Sequence, residues 1–192
     1  MSDERPYWPT IEVPMGIQLN GPDLDEDARM LVGLGAVVRA ASQADHELRT
    51  LYCALVGSPY AAVIAAGQMT NQLITDCRAL IEVRLDLTTE GKTKILDLLG
   101  ELKRLSERRN RFVHDVWAGG LDGQTELMRS KRGTKDLSFQ PITLNELIDT
   151  ARGIMYTLVQ INSWIFDALP HAVGMEAQLR WIEAQVRQGK DE

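Results

Sequence analysis

The chain contains only two cysteines, Cys53 and Cys77, and three histidines among its 192 residues. Neither cysteine has a His/Cys cluster nearby, so the pair cannot form a zinc site alone, and buried free thiols are expected. No apolar run approaches the roughly 20 residues that span a membrane, and the acidic first residues lack a signal region. Phosphate-cradling glycine loops, Ser/His/Asp orderings and internal repeats are also missing. We therefore expect a cytoplasmic globular protein that uses no metal or cofactor and no membrane.

Charge is unevenly distributed along the chain. The net charge is −6, which argues against non-specific nucleic-acid binding by the whole surface. Residues 101–135, however, hold nine Lys/Arg against five Asp/Glu, a local net charge of +4. One basic region therefore lies within an otherwise acidic chain.

Residues 1–22 contain four prolines and no sustained period, which predicts an extended N-terminal arm before a single domain at residues 23–192. Asp23 and Glu26 have capping-box spacing and predict a helix to about Leu55. Within it, Gly33 and Gly35 would let another backbone come close. The apolar stripe predicted to be buried comprises Leu24, Ala28, Leu31, Gly35, Val38, Leu48, Leu51, Tyr52 and Leu55.

Three further long helices are predicted. Ser58 and Pro59 begin the second, which should reach about Leu87, and a turn at 88–91 precedes the third, at about 92–116. Thr143 and Glu146 form a capping box that starts the fourth, which ends near Leu169. The third helix should bury a stripe made by Ile95, Leu98, Leu99, Leu102, Leu105, Phe112, Val113 and Val116.

Glycine-punctuated segments at about residues 118–140 predict a small antiparallel β-hairpin, and residues 172–188 predict a final helix. The expected fold is therefore all-α. It is an antiparallel four-helix bundle with a β-hairpin insert between helices three and four and an extra C-terminal helix.

Arg109 is the anomaly in the third helix. At 100° per residue it falls about 20° from Leu102, near the centre of the apolar stripe. A guanidinium keeps its charge and five donors, so burying it without partners costs several kcal/mol on an order-of-magnitude scale. Asn110 and His114 lie four residues apart on one flank of that stripe, where the long Arg109 side chain can reach them.

The segment Arg109-Asn110-Arg111-Phe112-Val113-His114 resembles the signature of the HEPN family, an Arg followed by a polar residue and, four positions after that residue, a His. The resemblance implies a helical bundle whose motif lies late on a helix and meets its copy in a homodimer. Many members are metal-independent endoribonucleases, often toxins or antiviral defence effectors. Others have lost catalysis and serve as interaction modules.

If the resemblance holds, Arg109, Asn110 and His114 form the catalytic site. His114 would act as general base or acid, Arg109 would bind the RNA phosphate, and Asn110 would orient one of them. The candidate RNA-backbone contacts are Lys103, Arg104, Arg108 and Arg111, with Arg129, Lys131, Arg132 and Lys135 behind them. The implied partners are RNA, a second copy of the chain and a cognate antitoxin.

Plainer interpretations remain open for these residues. Arg109 can be satisfied by a buried carboxylate from another helix, with His114 at an exposed helix end. Trp117 can stack on a base or close the core. The run 45–47, Asp-His-Glu, can contact the catalytic residues without binding RNA itself, or it can form an exposed helical turn. The basic residues named as RNA contacts can simply form a solvated helix face. The function that corresponds to these plainer interpretations is that of a non-catalytic helical interaction module.

Overall fold

A computed structural model describes residues 25–58, 60–119, 125–130 and 137–169. These residues are mostly helical and include a small three-stranded antiparallel sheet, which confirms the broad all-α prediction. The predicted arm at 1–22 and the predicted final helix at 172–188 lie outside the described residues. In chain order the elements are α1 (Glu26–Val56), α2 (Ala61–Ala65), α3 (Thr70–Val83), α4 (Thr89–His114), β1 (Val116–Gly119), β2 (Thr125–Ser130), β3 (Leu137–Pro141) and α5 (Leu144–Ala168).

The chain divides into two compact units. The first lies within Met1–Ala41 and Glu107–Gly153, and the second within Ser42–Ser106 and Ile154–Glu192. The single domain predicted for residues 23–192 stays a prediction.

In the first unit, α1 begins at Glu26, two residues later than a cap at Asp23 predicts, and Asp23 itself lies outside the described residues. The Asp25 carboxylate accepts a hydrogen bond from the Ala28 backbone N–H at 2.8 Å, so Asp25 caps the helix. Glu26 and Asp27 then place acidic side chains in the first turn, where the helix dipole favours them.

Gly33 lies where α1 packs against the start of α5. A Cβ built on Gly33 would lie 2.8 Å from Leu144 Cδ1 and 3.1 Å from Leu147 Cδ1, so only glycine fits without a shift. At Gly33 the close neighbours are leucine side chains rather than the predicted second backbone, and at Gly35 a Cβ would meet nothing within 4 Å.

The buried face of this part of α1 differs from the predicted stripe, because Leu31, Gly35 and Val38 are exposed. At 100° per residue, the buried positions centre roughly 160° round the helix from these three, on its opposite side. They are Met30, Gly33, Ala36, Val37 and Ala40.

The sheet of the first unit has the order β1-β2-β3, with both pairs antiparallel. Leu127 of β2 lies between Trp117 of β1 and Gln140 of β3 and is buried. The predicted hairpin therefore corresponds to β2 and β3, two of the three strands of this sheet. The third, β1, uses residue Val116, which the helical pattern had assigned to the preceding helix.

The capping box at the start of α5 is confirmed. The Glu146 N–H donates to the Thr143 hydroxyl at 3.2 Å, and the Thr143 N–H donates to the Glu146 carboxylate at 3.0 Å. Ile142 and Leu147, the predicted hydrophobic pair at this helix start, are both buried.

In the second unit, the predicted helix from Ser58 to Leu87 is two helices. The chain breaks between α2 and α3, where Ala66 is extended and Gly67 has a φ of +100°, a conformation that strongly favours glycine. The Ser58 hydroxyl accepts a hydrogen bond from the Tyr60 N–H at 3.3 Å, as a cap does, but α2 begins only at Ala61, and Tyr60 at its N-cap position makes no side-chain cap.

α4 begins at Thr89, earlier than the predicted residue 92. The Thr88 hydroxyl accepts a hydrogen bond from the Gly91 N–H at 3.0 Å, so the predicted turn is the cap and first turn of the helix.

The core of the second unit is aliphatic. Two backbone carbonyls of this unit accept hydrogen bonds from side chains. Trp164 donates to the Gly91 carbonyl at 2.9 Å, and Arg84 donates to the Leu55 carbonyl at 2.6 Å. The largest fully buried side chains are Leu48, Leu51, Leu73, Ile74, Ile81, Ile95, Leu99, Leu102, Ile154, Ile161 and Ile165.

Both cysteines are free thiols. Cys77 is fully buried, as predicted, and burial raises its thiol pKa to about 12. Cys53 is only half-buried, and burial raises its pKa in the same direction. A thiol that stays protonated at neutral pH is a weak nucleophile and a weak metal ligand.

Candidate functional site

The predicted catalytic residues occupy the last turns of α4, in the first unit. The helix ends at His114, and the Asp115 N–H still donates to the Arg111 carbonyl at 3.0 Å before β1 begins. Trp117 folds back and donates its indole N–H to the Phe112 carbonyl at 2.7 Å. Trp117 therefore fixes the exit from the helix, which favours the structural interpretation of this residue over base stacking.

Arg109 and Asn110 are joined directly. Arg109 Nη1 donates to Asn110 Oδ1 at 2.9 Å. Arg109 is half-buried rather than central to the core as the helical wheel predicted. Its Nε atom is buried and has no hydrogen-bond partner.

Within the described part of the chain, Arg109 has no carboxylate within ion-pairing distance. The interior carboxylate of the plainer interpretation is therefore not found among these residues. A guanidinium with one neutral partner keeps most of its donors for another acceptor.

His114 is exposed and is the last residue of α4. Its imidazole makes no hydrogen bond to the side chain of Arg109 or Asn110 in the described residues, so the structure joins the side chains of two members of the predicted triad and not the third. Arg111 and His114 share the last turn, where a positive charge is favoured by the helix dipole.

The sequence suggested that Arg108 lies free on the surface. In the structure its side chain instead makes contacts within the fold. Its Nη2 lies 3.3 Å from Glu146 Oε1, and its guanidinium carbon lies 5.9 Å from the centre of the Phe112 ring. Because Glu146 also closes the α5 capping box, Arg108 connects the end of α4 to the start of α5. Its availability for RNA is correspondingly reduced.

The other predicted RNA contacts differ in their environment. Arg111 is half-buried, and its guanidinium makes no hydrogen bond or ion pair with a described residue. Arg129, on β2, is exposed. The remaining basic residues of this region, Lys131, Arg132 and Lys135, lie outside the described residues.

Lys103 and Arg104 belong to the second unit and are both exposed. Arg104 makes two hydrogen bonds to Glu101, at 2.8 and 2.6 Å. These bonds raise the pKa of Arg104 and lower the pKa of Glu101. The pair is close to neutral, so Lys103 is the better candidate phosphate contact of the two.

The run 45–47 on α1, also in the second unit, is not a uniformly exposed turn. The Thr70 hydroxyl donates to Asp45 at 2.5 Å, and His46 is exposed. Glu47 is only 7% exposed; one carboxylate oxygen accepts a hydrogen bond from Gln43 at 2.7 Å, and the other has no partner. The helical pattern gave no sign of this buried carboxylate.

The second unit also contains an open pocket of about 410 Å³ that the sequence reasoning missed. Residues from the start of α4 and the end of α5 line it, including Glu90, Lys94, Trp164 and Asp167. Only the clustering of acidic residues near two predicted helix ends hinted at it.

Two searches of the described residues gave negative results. No group of three or more His, Cys, Asp and Glu side chains among them could hold a metal ion. No helix among them is long and apolar enough to cross a membrane.

Comparison with protein-family models found no match. Searches of curated proteins and of solved structures also found no match. The similarity to the HEPN signature is thus carried by the six residues from Arg109 to His114 alone.

Proposed function

We propose that the chain is an HEPN-like, metal-independent endoribonuclease that acts on RNA as a homodimer in the cytoplasm, with Arg109, Asn110 and His114 as its catalytic residues. One observation carries this proposal: a half-buried Arg109, hydrogen-bonded to Asn110 and to no described carboxylate, lies near an exposed His114 at the end of the same helix. The predicted antiparallel four-helix bundle is the proposed scaffold. The resemblance further suggests a toxin or defence role with a cognate antitoxin.

The proposed chemistry breaks one RNA phosphodiester bond. A histidine removes the proton from a 2′-hydroxyl, and the 2′-oxygen forms a bond to the adjacent phosphorus. The bond from phosphorus to the 5′-oxygen breaks, and that oxygen takes a proton from a second acid. The products are a 2′,3′-cyclic phosphate and a 5′-hydroxyl, and no external reductant, oxidant or metal enters the balance.

The residues fit separate parts of this step. Imidazole exchanges protons near neutral pH, so an exposed His114 can reach a bound RNA and act as base or acid. The donors of Arg109 that remain after its bond to Asn110 can hold the phosphate and stabilise the charge that develops there. A second copy would supply a second His114 for the other proton transfer.

Cleavage of a mixed RNA by purified chain in the presence of a chelator tests the proposal. The substitution His114→Ala should reduce the rate of RNA cleavage by about 10² to 10⁴-fold, the usual contribution of a general acid or base. Arg109→Ala should reduce it by about 10² to 10³-fold, the usual loss of one charge-stabilising group. Arg109→Lys should recover only part of this loss, because an ammonium cannot reproduce the two-pronged contact.

His46→Ala is the matched control. His46 is an exposed histidine on α1, so its removal should leave the rate unchanged while reproducing the loss of one imidazole. Equal rates for wild type, His114→Ala and Arg109→Ala would end the proposal.

A non-catalytic interaction module is the second candidate. It is favoured by the lack, among the described residues, of a hydrogen bond from the His114 imidazole to the side chain of Arg109 or Asn110. For such a module, purified chain would leave RNA intact under all these conditions, and the variants at Arg109 and His114 would behave alike.

A further inference from the structure

The last turn of α4 has backbone carbonyls that need partners. The final four C=O groups of an α-helix have none within the helix. The Arg111 carbonyl accepts a hydrogen bond from the Asp115 N–H at 3.0 Å, and the Phe112 carbonyl accepts one from the indole N–H of Trp117 at 2.7 Å. A side chain from the following strand therefore closes the helix that ends at His114.

The usual way to end a helix is not used at this position. Many helices end on a glycine or asparagine with a positive φ, whose backbone N–H bonds to a carbonyl of the last turn. No residue from Asp115 to Ala118 has a positive φ, and β1 begins at Val116, two residues after the helix ends. The direction in which the chain leaves α4 consequently depends on the contact between Trp117 and Phe112.

Trp117 is itself held by the sheet. It lies directly opposite Leu127 on β2, and residues opposite one another in an antiparallel pair project from the same face. Leu127 is buried, whereas Val116, the neighbour of Trp117 on β1, is exposed. Trp117 therefore lies on the covered face of the sheet and connects that face to the end of α4.

His114 lies between the two ends of this contact. It follows the acceptor, Phe112, by two residues and precedes the donor, Trp117, by three. The hydrogen bond closes this short segment into a ring, which restricts the backbone from which the His114 side chain projects. Among the described residues no hydrogen bond joins the His114 imidazole to the side chain of Arg109 or Asn110, so this backbone sets its position relative to them.

We infer that Trp117 is a positioning residue for His114: its indole hydrogen bond to the Phe112 carbonyl, anchored by the sheet, fixes where the imidazole projects at the end of α4. The catalytic consequence rests on the proposed function, in which His114 transfers a proton. A misplacement of about 1 Å at a reacting centre can reduce a rate about 10²-fold, so a loosened helix end should slow cleavage without any contact between Trp117 and RNA.

The substitution Trp117→Phe tests the inference, because it keeps an aromatic ring on the sheet and removes the indole donor. In RNA cleavage it should reduce kcat by about 10- to 100-fold and change KM by less than about twofold, since the groups that bind the phosphate stay in place.

Nuclear magnetic resonance of the full chain without RNA measures the same effect independently of activity. The Asp115 amide, which bonds to the Arg111 carbonyl, should exchange its hydrogen about 2- to 10-fold faster in Trp117→Phe, the range expected for one lost hydrogen bond. The imidazole signals of His114 should shift in the same variant.

Trp164→Phe is the matched control. Trp164 also donates its indole N–H to a backbone carbonyl, that of Gly91 at 2.9 Å, but in the second unit. Its substitution removes the same kind of bond and should leave kcat, the exchange of the Asp115 amide and the His114 signals as in wild type. A second check needs no variant: the indole proton of Trp117 in wild type should exchange more slowly than that of free tryptophan, because it is bonded.

Three results would overturn the inference. They are unchanged His114 signals and Asp115 exchange in folded Trp117→Phe, the same changes in Trp164→Phe, and a Trp117 indole proton in wild type that exchanges as fast as that of free tryptophan. The last measurement decides if Trp117→Phe does not fold.

The kinetic result is scored separately. In a chain that cuts RNA, an unchanged kcat for Trp117→Phe would also overturn the inference. A wild type that cuts no RNA would end the proposed function, and the resonance measurements would still decide whether Trp117 holds His114.

Discussion

Gly33 and Gly35 lie two residues apart on α1, and replacing each with alanine should change stability in opposite directions. In a helix interior, Gly→Ala contributes about 1 kcal/mol through backbone entropy and propensity. At Gly35 nothing lies within 4 Å of the added Cβ, so the variant should gain about 0.5–1 kcal/mol.

At Gly33 the same methyl group meets the start of α5. Leu144 Cδ1 would lie at 2.8 Å, and Leu147, which is fully buried, would place its Cδ1 at 3.1 Å and its Cβ at 3.3 Å. The Leu144 methyl can rotate away, but the buried Leu147 has little room. Overpacking typically costs about 1–3 kcal/mol, which equals or exceeds the helical gain.

Urea denaturation of both variants measures the difference. The free energy of unfolding should be about 1–3 kcal/mol lower for Gly33→Ala than for Gly35→Ala. In thermal unfolding this corresponds to roughly 2–4 °C per kcal/mol for a chain of this length. Equal stabilisation of both variants would refute the close approach of α1 to α5 at Gly33.

Two further predictions concern the second unit. Trp164→Phe keeps most of the buried ring but removes the indole donor to the Gly91 carbonyl, so urea denaturation should show a loss of about 0.5–1.5 kcal/mol; an unchanged midpoint would contradict the contact. The raised pKa of Cys77 means that, from pH 9.0 to about 12, the unfolded chain loses the thiol proton before the folded chain does. Stability should therefore fall over that range as pH rises, and a Cys77→Ala variant should show a shallower fall; identical slopes would contradict it.

Local signals near helix starts were reliable predictors. The capping box of Thr143 and Glu146 forms because its hydrogen bonds join residues three apart and need no tertiary partner. The glycine-rich region after α4 likewise gave the two strands of the predicted hairpin, since turn residues and alternation are local properties.

The buried face of α1 could not be predicted, because two apolar stripes compete on the same helix. Leu31 and Val38 are as apolar as Met30 and Val37, and the sequence holds no preference between them. The choice is made by packing against α5, where only Gly33 admits Leu144 and Leu147. The choice of buried face therefore depends on tertiary packing, which the pattern of α1 alone does not contain.

The break between α2 and α3 was missed for a related reason. The segment from Ala62 to Met69 has no proline, and its pattern predicts a continuous helix. A single glycine inside a helix is often tolerated. Only the positive φ of Gly67 shows that the chain turns.

The candidate site was predicted in part. The helical wheel placed Asn110 and His114 on one flank of the stripe, within reach of the long Arg109 side chain. Arg109 bonds to Asn110, whereas the His114 imidazole bonds to neither side chain among the described residues. The wheel could not foresee that Arg108 would pair with Glu146, a residue 38 positions away. Its assignment of Arg109 to the core failed because the wheel uses angle alone and holds no information on what packs against each position: Phe112, three residues later, is buried, whereas Arg109 is half-buried.

The central claim is that His114 drives RNA cleavage through a neighbouring 2′-hydroxyl. Its most direct test incubates the chain, in chelator, with an RNA and with DNA of the same sequence, alongside His114→Ala. Wild type should cut only the RNA and leave 2′,3′-cyclic phosphate ends, and His114→Ala should leave both strands intact. RNA cut by His114→Ala at the wild-type rate, or DNA cut as fast as RNA, would contradict the account.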